Sequence, residues 1–274
     1  MLNVMPIQLI VNADDFGCST SVNAAVAQAH TFGTLTSASL MVTGEAAGEA
    51  AAIAGDHPDL AVGLHLALSR ARSILPENAI PNLVDKRGRF PDDPIIASLK
   101  YYFSPAARRQ LASEIEAQFE AFVRLGIPIS HVDGHQHLHA HPVVLPIVIR
   151  LAQEYGAHGI RVPREPKPLR GTGQAYLAWK CRRLLRKSTL ASCDYCIGGL
   201  MSGRMTPDYI IDVLDRLPGK IVEAYFHPST QPSGEPLGPN PGDLAALLDP
   251  RLRDYIAARC QLATYESLSR EAIR

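Results

Sequence analysis

Short apolar segments alternate with longer amphipathic or alanine-rich segments along the chain of 274 residues. Short apolar stretches bounded by turn residues predict strands, whereas apolar positions three and four apart predict helices. In 104–124, for example, Leu111, Ile115 and Phe119 share one helical face, and a proline stands in the first turn. The predicted strands are 8–12, 37–42, 60–68, 128–135, 159–163, 220–226 and 261–265, and the predicted helices are 21–31, 45–54, 104–124, 141–155 and 249–259.

This order of elements predicts an α/β fold built on a parallel sheet, because strands separated by helices form βαβ units. Both an open doubly wound sheet and a closed barrel fit the number of units. Polar residues at the carboxyl ends of several strands favour the barrel, because an open sheet concentrates its site at one switch point. These residues are Asp14, Asp15, His65, His135, Arg161 and His227.

One domain over 1–274 is predicted, because no internal repeat or long linker divides the chain. Two segments, 69–98 and 163–205, fit none of the predicted repeat units. Long insertions after barrel strands usually form lids or substrate walls. We therefore expect both segments to cover the carboxyl end of the barrel.

The composition argues against some partners. Lys plus Arg and Asp plus Glu both number 27, so no broad attraction to nucleic acid is expected. The beginning of the chain does not resemble a signal peptide, and five cysteines do not predict a disulfide framework. A cytoplasmic protein is therefore expected. The basic stretch 180–187 is interpreted as a solvated helix face, with contact to membrane headgroups as the alternative.

Five histidines lie within 131–141, in the run HVDGHQHLHAHP. His131, Asp133, His135, His137 and His139 alternate with other residues, and on an extended segment this period places them on one side. So many imidazoles and carboxylates on one buried face need an ion or a water-filled site. The alternative is a solvated histidine-rich loop.

A second cluster of candidate residues begins at the end of the first strand. Asp14 and Asp15 are adjacent carboxylates, of which one could bind a cation and the other remain a base, or both could belong to a simple turn. One Asp and two His leave open positions on a divalent ion, which is typical of a catalytic site. His227 could protonate a leaving amine. Arg161 either orients a carboxylate or pairs with Glu165 on the surface.

Five motifs in order, NADDFG, VGLHLAL, HVDGHQHLHAHP, IRVPREP and YFHP, resemble those of the YdjC-like carbohydrate deacetylases. The segments 74–93 and 101–122 are similar to those of the hopanoid-biosynthesis-associated members. The resemblance implies a distorted (β/α) TIM-like barrel that binds one divalent metal and removes acetyl groups from N-acetylated amino sugars. For the hopanoid-associated members the implied substrate is an N-acetylglucosaminyl hopanoid lipid.

The resemblance also implies residue roles. Asp14 would be the general base, His227 the acid, and Asp15, His65 and His135 the metal ligands, with His137 as an alternative third ligand. His137 and Glu165 are candidate substrate-binding residues, and Arg161 is a candidate catalytic residue. The Gly134-His135-Gln136 piece departs from the triple-histidine version of chitooligosaccharide-type members, which argues for a different sugar substrate.

The cofactor is expected to be one divalent ion. Zn²⁺ or Mg²⁺ is favoured, while Ni²⁺ and Co²⁺ also tolerate mixed oxygen and nitrogen ligands. The expected partner is a small amino-sugar substrate, which a lipid could carry, and peripheral membrane contact and a homodimer are kept as hypotheses. Sugar isomerisation and phosphoester hydrolysis are rival activities. A metal-storing or sugar-binding module is the non-catalytic alternative, and it predicts a closed coordination shell with no use for Asp14.

Overall fold

The computed structural model describes residues 6–166, 172–234 and 237–268. Strands and helices alternate through most of the chain, as the apolar pattern predicts. The strands are β1 (Ile7–Phe16), β2 (Ser37–Leu40), β3 (Ala61–Leu66), β4 (His131–Gly134), β5 (Gly159–Ile160), β6 (Tyr195–Ile197), β7 (Ile221–Phe226) and β8 (Cys260–Leu262). The helices are α1 (Thr20–Phe32), α2 (Ala47–Asp56), α3 (Pro94–Phe103), α4 (Pro105–Arg124), α5 (Leu145–Glu154), α6 (Thr172–Leu185), α7 (Pro207–Leu214), α8 (Pro241–Leu248) and α9 (Pro250–Arg259).

The strands form one parallel sheet in the order β5-β4-β3-β2-β1-β7-β6, and β8 also pairs with β1. The two ends of this order meet through a few backbone hydrogen bonds. The Ile160 N–H donates to the Ala191 carbonyl at 2.9 Å, and the Cys196 N–H donates to the Arg164 carbonyl at 2.8 Å. The sheet therefore curls into a distorted, TIM-like barrel, which confirms the predicted fold class.

The interior of this barrel is polar near the carboxyl ends of the strands. Along β1, Leu9, Val11 and Ala13 belong to the large apolar core shared with the helices. Asn12, which alternates with them, instead donates to the Ser39 hydroxyl at 2.8 Å. Barrel interiors are usually filled by layers of apolar side chains. Buried polar groups in this position need mutual hydrogen bonds or a ligand.

Gly63 in β3 makes room for one of these polar groups. A Cβ atom at this position would lie 2.5 Å from the ring of His131 on the neighbouring strand. The His131 ring stacks on Tyr265, with their centroids 4.9 Å apart. Together the two rings occupy the barrel beneath the polar layer.

The histidine-rich run does not continue as a strand. β4 ends at Gly134, and residues His135–Ala140 form a 3-10 segment in which Gln136 and His137 have φ values of 56° and 55°. The prediction that 131–139 presents one alternating face is therefore wrong beyond Gly134. The left-handed backbone at these two residues sends the later histidines in separate directions.

The two predicted insertions differ in structure. Within 69–98, a bridge joins Arg72 to Arg89, and α3 begins near its end. Part of 163–205 instead continues the alternation of helices and strands, because it contains α6 and β6. Residues 167–171 lie outside the described part of the chain. The lid role of both segments stays a prediction. The described residues contain no helix that combines the length and the apolar character of a membrane-spanning segment.

Candidate metal centre and active site

The end of β1 directs two adjacent carboxylates to different partners. Asp15 has a φ of 62°, a left-handed conformation that is uncommon for a residue other than glycine. The register between β1 and β2 also shifts between Ala13 and Phe16. As a result Asp15 faces His65 and His135, while Asp14 faces Arg161.

Asp15, His65 and His135 form a compact group of candidate metal ligands. Oδ1 of Asp15 lies 3.4 Å from Nε2 of His65 and 3.1 Å from Nδ1 of His135. One ligand atom from each residue lies within 4.8 Å of the other two. Ligand atoms that are about 2.1 Å from an ion lie roughly 3.0–3.4 Å apart at octahedral or tetrahedral angles. The spacing and the donor types therefore fit a divalent ion.

His65 is held in the orientation that this group requires. Its Nδ1 lies 2.8 Å from Oδ1 of Asp133, which leaves Nε2 facing Asp15. A carboxylate that accepts the second ring N–H of a histidine is the usual outer partner of a metal ligand. Burial lowers the pKa of His65, but the Asp133 carboxylate reverses this and raises it to about 9. Without a metal ion, a proton on His65 would balance the nearby carboxylates.

The electrostatics of Asp15 also favour a cation. Burial would raise the pKa of Asp15, but the neighbouring imidazoles of His135 and His65 bring it below its usual range. The side chain is 5% exposed, so few water molecules can solvate its charge. A buried carboxylate without water needs a positive partner. Protons on the two histidines or one divalent ion could supply it.

Arg161 joins the acidic groups of the barrel interior. It is 1% exposed, its Nη1 lies 2.7 Å from Oδ2 of Asp14, and its Nη2 lies 2.7 Å from both Oδ1 of Asp14 and Oδ2 of Asp133. Its Nε donates to Glu223 at 3.0 Å. Burial would raise the pKa of Asp14, yet Arg161 holds it below its ordinary value. Asp14 is therefore an ionised carboxylate with a fixed orientation.

His227 lies on the other side of Asp14. Its Nε2 is 4.0 Å from Oδ2 of Asp14, and the side chain is 13% exposed. The backbone N–H of His227 donates to Asp243 at 2.8 Å, and Pro228 follows, so the end of β7 is fixed. A basic carboxylate and an imidazole thus face one space beside the candidate ligands.

The structure separates His137 from the candidate ligand group. Nε2 of His137 lies 3.1 Å from the Tyr225 hydroxyl, whereas His135 contacts Asp15. Burial and the Arg161 cation lower the pKa of His137 to about 3, so the ring is neutral. His137 therefore lies beside the site, where its predicted contact with substrate stays a prediction.

Glu165 lies on the loop that follows β5. Its Oε1 accepts the backbone N–H of Gly199 at 2.7 Å, and Gly198 and Leu200 also donate to it. The alternative that Arg161 pairs with Glu165 on the surface is wrong, because Arg161 is buried and contacts Asp14. Its other predicted role, orienting a carboxylate, agrees with this contact. Substrate binding by Glu165 stays a prediction.

Several residues of the site received no role from the sequence. Asp133 orients His65, and Ser39 donates to Asp133 at 2.8 Å. Glu223 contacts Arg161 and accepts from the Tyr265 hydroxyl at 2.7 Å. A glutamate in the otherwise apolar segment 221–226 was a signal, because buried glutamates are rare unless they are paired. Ser39 carried no comparable signal.

Comparisons with known proteins give a consistent picture. A family model described as YdjC-like protein matches residues 8–258. The chain is 34% identical over 272 residues to a carbohydrate deacetylase of Geobacillus stearothermophilus, which covers 95% of this chain and 98% of that protein. A carbohydrate deacetylase of Brevibacillus brevis is 42% identical over 150 residues, which covers 54% of this chain and 56% of that protein.

Two further comparisons are with a chitooligosaccharide deacetylase and with a solved crystal structure. A chitooligosaccharide deacetylase of Serratia marcescens is 36% identical over 163 residues, which covers 57% of this chain and 60% of that protein. A crystal structure from Enterococcus faecalis V583, described as a proposed cellobiose-phosphate cleavage protein, superposes with a TM-score of 0.80 at 25% identity. It covers 96% of this chain and 99% of that chain, so the similarity extends over the whole barrel.

Proposed function

The chain belongs to the YdjC-like protein family, and from this premise we propose that it is a metal-dependent carbohydrate deacetylase that removes an N-acetyl group from an amino sugar. One observation carries the proposal: an ionised Asp14 lies between the candidate metal ligands and His227. The base, the acid and the ligand group would then surround one amide bond.

Asp15, His65 and His135 would hold the ion. When it is bound, a divalent ion polarises the acetyl carbonyl and lowers the pKa of a bound water toward about 7. Zn²⁺ and Mg²⁺ are the favoured ions, and Ni²⁺ and Co²⁺ suit the same mixture of donors. A carboxylate and two imidazoles leave positions for water and substrate, in contrast to a closed structural site.

The residues of the chain would move the protons. Asp14 accepts a proton from the water that attacks the acetyl carbon, and Arg161 keeps Asp14 ionised and oriented for this step. His227 donates a proton to the sugar nitrogen as the C–N bond breaks. The products are acetate and a free amine. The proton that Asp14 takes from water balances the one that His227 gives to the nitrogen, so the site returns to its starting state when a proton moves from Asp14 to His227, whose Nε2 is 4.0 Å from Oδ2 of Asp14.

For the substrate, we propose an N-acetylglucosaminyl group carried on a hopanoid lipid. The resemblance of 74–93 and 101–122 to the hopanoid-associated members supports this substrate, as does the departure at Gln136 from the triple-histidine version. A chitooligosaccharide is the second candidate, and the similarity to the Serratia marcescens deacetylase favours it. A non-catalytic sugar- or metal-binding module is the remaining alternative, and it gives Asp14 no task.

The test is an acetate-release assay on the purified protein after its metal has been removed with a chelator. Zn²⁺, Mg²⁺, Ni²⁺ and Co²⁺ are then added one at a time, with N-acetylglucosaminyl hopanoid and chitooligosaccharides as separate substrates. We expect acetate only with added metal and faster release from the hopanoid conjugate. Faster release from chitooligosaccharides would favour the second substrate. The absence of acetate with every metal and substrate would contradict the proposed activity.

A further inference from the structure

Two helices beside the site expose large apolar side chains. On α3, the exposed fractions are 67% for Ile95, 57% for Ile96, 53% for Leu99, 46% for Tyr102 and 71% for Phe103. Their spacing places them on one side of the helix, while Ala97 and Tyr101 are buried on the other. On α6, Tyr176 is 60% exposed and Trp179 is 50% exposed. Such a concentration of exposed apolar groups marks an interaction surface.

Both helices contact the 3-10 segment that carries His135, or His141, which follows that segment. The Tyr102 ring on α3 lies 6.3 Å from the His141 ring. On α6, Sγ of Cys181 lies 3.8 Å from the carbonyl oxygen of Ala140, the residue before His141. Residues 94–109 contain α3 and the start of α4, and residues 172–187 contain α6 and the two residues after it. Because both lie beside the segment that carries His135, we treat them as one surface and call it the α3–α6 face.

This face carries a strong excess of positive charge. Residues 94–109 and 172–187 contain eight Lys or Arg residues and no Asp or Glu, although the whole chain has 27 of each class. The rest of the sequence therefore has eight more acidic than basic residues. Arg183, Arg186 and Lys187 are exposed, and Arg183 lies over the Trp179 ring at 5.5 Å.

Acidic groups at the border of the α3–α6 face have their own partners. Asp93 accepts the Ile95 N–H at 2.7 Å as the cap of α3, and Asp92 lies 3.9 Å from Arg89. Asp194 lies 3.6 Å from Arg182. These acids do not neutralise the cations at the exposed end of α6.

We propose that the α3–α6 face docks the protein on an anionic lipid surface. Exposed aliphatic and aromatic side chains that are rimmed by Lys and Arg are typical of segments that lie in the interface of a bilayer. A second copy of the chain fits less well, because a twofold interface would oppose two faces of the same positive charge. The exposed isoleucines and leucine also offer a nucleic acid neither hydrogen bonds nor stacking.

Docking in this orientation would bring the segment that carries His135 toward the headgroups. A substrate with a lipid tail could then reach the site while its tail stays in the bilayer. The docking itself does not depend on the proposed deacetylase activity, because it uses no residue of the candidate metal centre. It can therefore be measured without a substrate.

The experiment is vesicle flotation of the purified 274-residue chain. Vesicles of phosphatidylcholine alone are compared with equimolar phosphatidylcholine and phosphatidylglycerol. We expect the protein to float with the anionic vesicles only, and the bound fraction to fall with added salt. Arg186→Glu with Lys187→Glu should lower partitioning roughly 25-fold or more, since each cation removed costs about fivefold, equivalent to about 1 kcal/mol.

Apolar substitutions test the other half of the α3–α6 face. Phe103→Ser with Trp179→Ala should weaken flotation about tenfold or more, because exposed aromatic side chains anchor a protein at the interface. The matched controls are Phe32→Ser with Leu262→Ser, which remove exposed apolar side chains elsewhere, and Arg253→Glu with Arg259→Glu on α9. Both control pairs should float like the unchanged protein.

Three outcomes would overturn the proposal. The first is that the unchanged protein does not float with anionic vesicles. The second is that flotation decreases equally in the face variants and in the controls. The third is a dimer that dissociates in the Phe103→Ser, Trp179→Ala variant, which would assign the face to a second copy. Acetate release from a water-soluble substrate should stay unchanged in the face variants. Failure of docking and failure of the proposed activity are thus separate results.

Discussion

The guanidinium of Arg161 donates hydrogen bonds to both carboxylate oxygens of Asp14, with two N–O distances of 2.7 Å. Paired hydrogen bonds of this kind fix the plane of a carboxylate as well as its charge. The two residues are 147 positions apart in the sequence, and the barrel brings them together. Arg161 therefore orients the proposed base, although it need not touch the substrate.

Replacement of Arg161 by lysine tests this positioning role. Lysine keeps the positive charge but cannot form the paired contact, so Asp14 should lose its fixed orientation. We expect kcat for acetate release to fall about tenfold to 100-fold, with a much smaller change in KM. Arg164→Lys is the matched control, because Arg164 stacks on Tyr195 and lies outside the acidic cluster. Unchanged kcat in a folded Arg161→Lys protein would contradict the positioning role.

Asp14→Asn tests the proposed base directly. The amide has nearly the same shape but cannot accept a proton from water, so acetate release should fall by about 10² to 10⁴. Metal content, measured by elemental analysis, should stay the same because Asp14 is not in the ligand group. Normal turnover in this variant would remove Asp14 from the mechanism.

His227→Ala tests the proposed acid. Its rate of acetate release should fall by about 10² to 10⁴ as well, and a smaller loss would assign His227 to a positioning role.

Alanine variants decide between His135 and His137 as the third metal ligand. His135 lies 3.1 Å from Asp15, and His137 instead contacts Tyr225. We expect His135→Ala, like His65→Ala, to lose bound metal, whereas His137→Ala should retain it. Equilibrium dialysis with Zn²⁺ measures both. Metal loss in His137→Ala together with retention in His135→Ala would reverse the assignment.

Asp133→Asn tests the support of His65. An asparagine places an amide N–H₂ where Asp133 accepts hydrogen bonds from His65, Ser39 and Arg161. Loss of such an outer partner typically weakens metal affinity about tenfold to 100-fold. A titration with a competing chelator would measure the change. Thermal unfolding of the metal-free variant separates this effect from a loss of folding, and unchanged affinity in a folded variant would argue against the role.

Glu114 makes the stability of the protein depend on pH. It is fully buried on α4 and accepts the backbone N–H groups of Ile74 and Leu75 at 3.0 and 2.9 Å, and burial raises its pKa above the ordinary value. A raised pKa means that the folded state holds the proton more tightly. The stabilisation that this proton gives the folded state is fully present below the ordinary pKa. It is lost as the pH rises through the raised pKa.

The measurement is the free energy of unfolding in urea between acidic and neutral pH. Glu114→Gln cannot titrate, so its stability should fall less over this range than that of the unchanged protein. The free energy of unfolding of Glu114→Gln should also be lower by about 1–3 kcal/mol at every pH, because one acceptor facing a backbone N–H is replaced by a donor. Glu116→Gln, an exposed neighbour on the same helix, should leave the pH dependence unchanged. Equal pH dependence in both variants would contradict the role of Glu114.

The sequence by itself was sufficient for the fold class and for much of the candidate site. Apolar periodicity predicted the helix that the structure has at Pro105–Arg124 and most strands, because burial of an apolar face depends on local spacing. It did not reveal β6, a strand of three residues, because so short a segment has little pattern of its own. Polar residues at strand ends indicated Asp14, Asp15, His65 and His135, since parallel strands bring those ends to one edge.

Only the tertiary structure decided which polar groups contact each other. The left-handed residues Gln136 and His137 break the alternation of the histidine-rich run, so spacing could not separate His135 from His137. The contacts of Asp133 with His65 and of Glu223 with Arg161 join different strands. Such contacts depend on the curvature of the barrel and on the register of its strands. No local pattern in the sequence records either quantity.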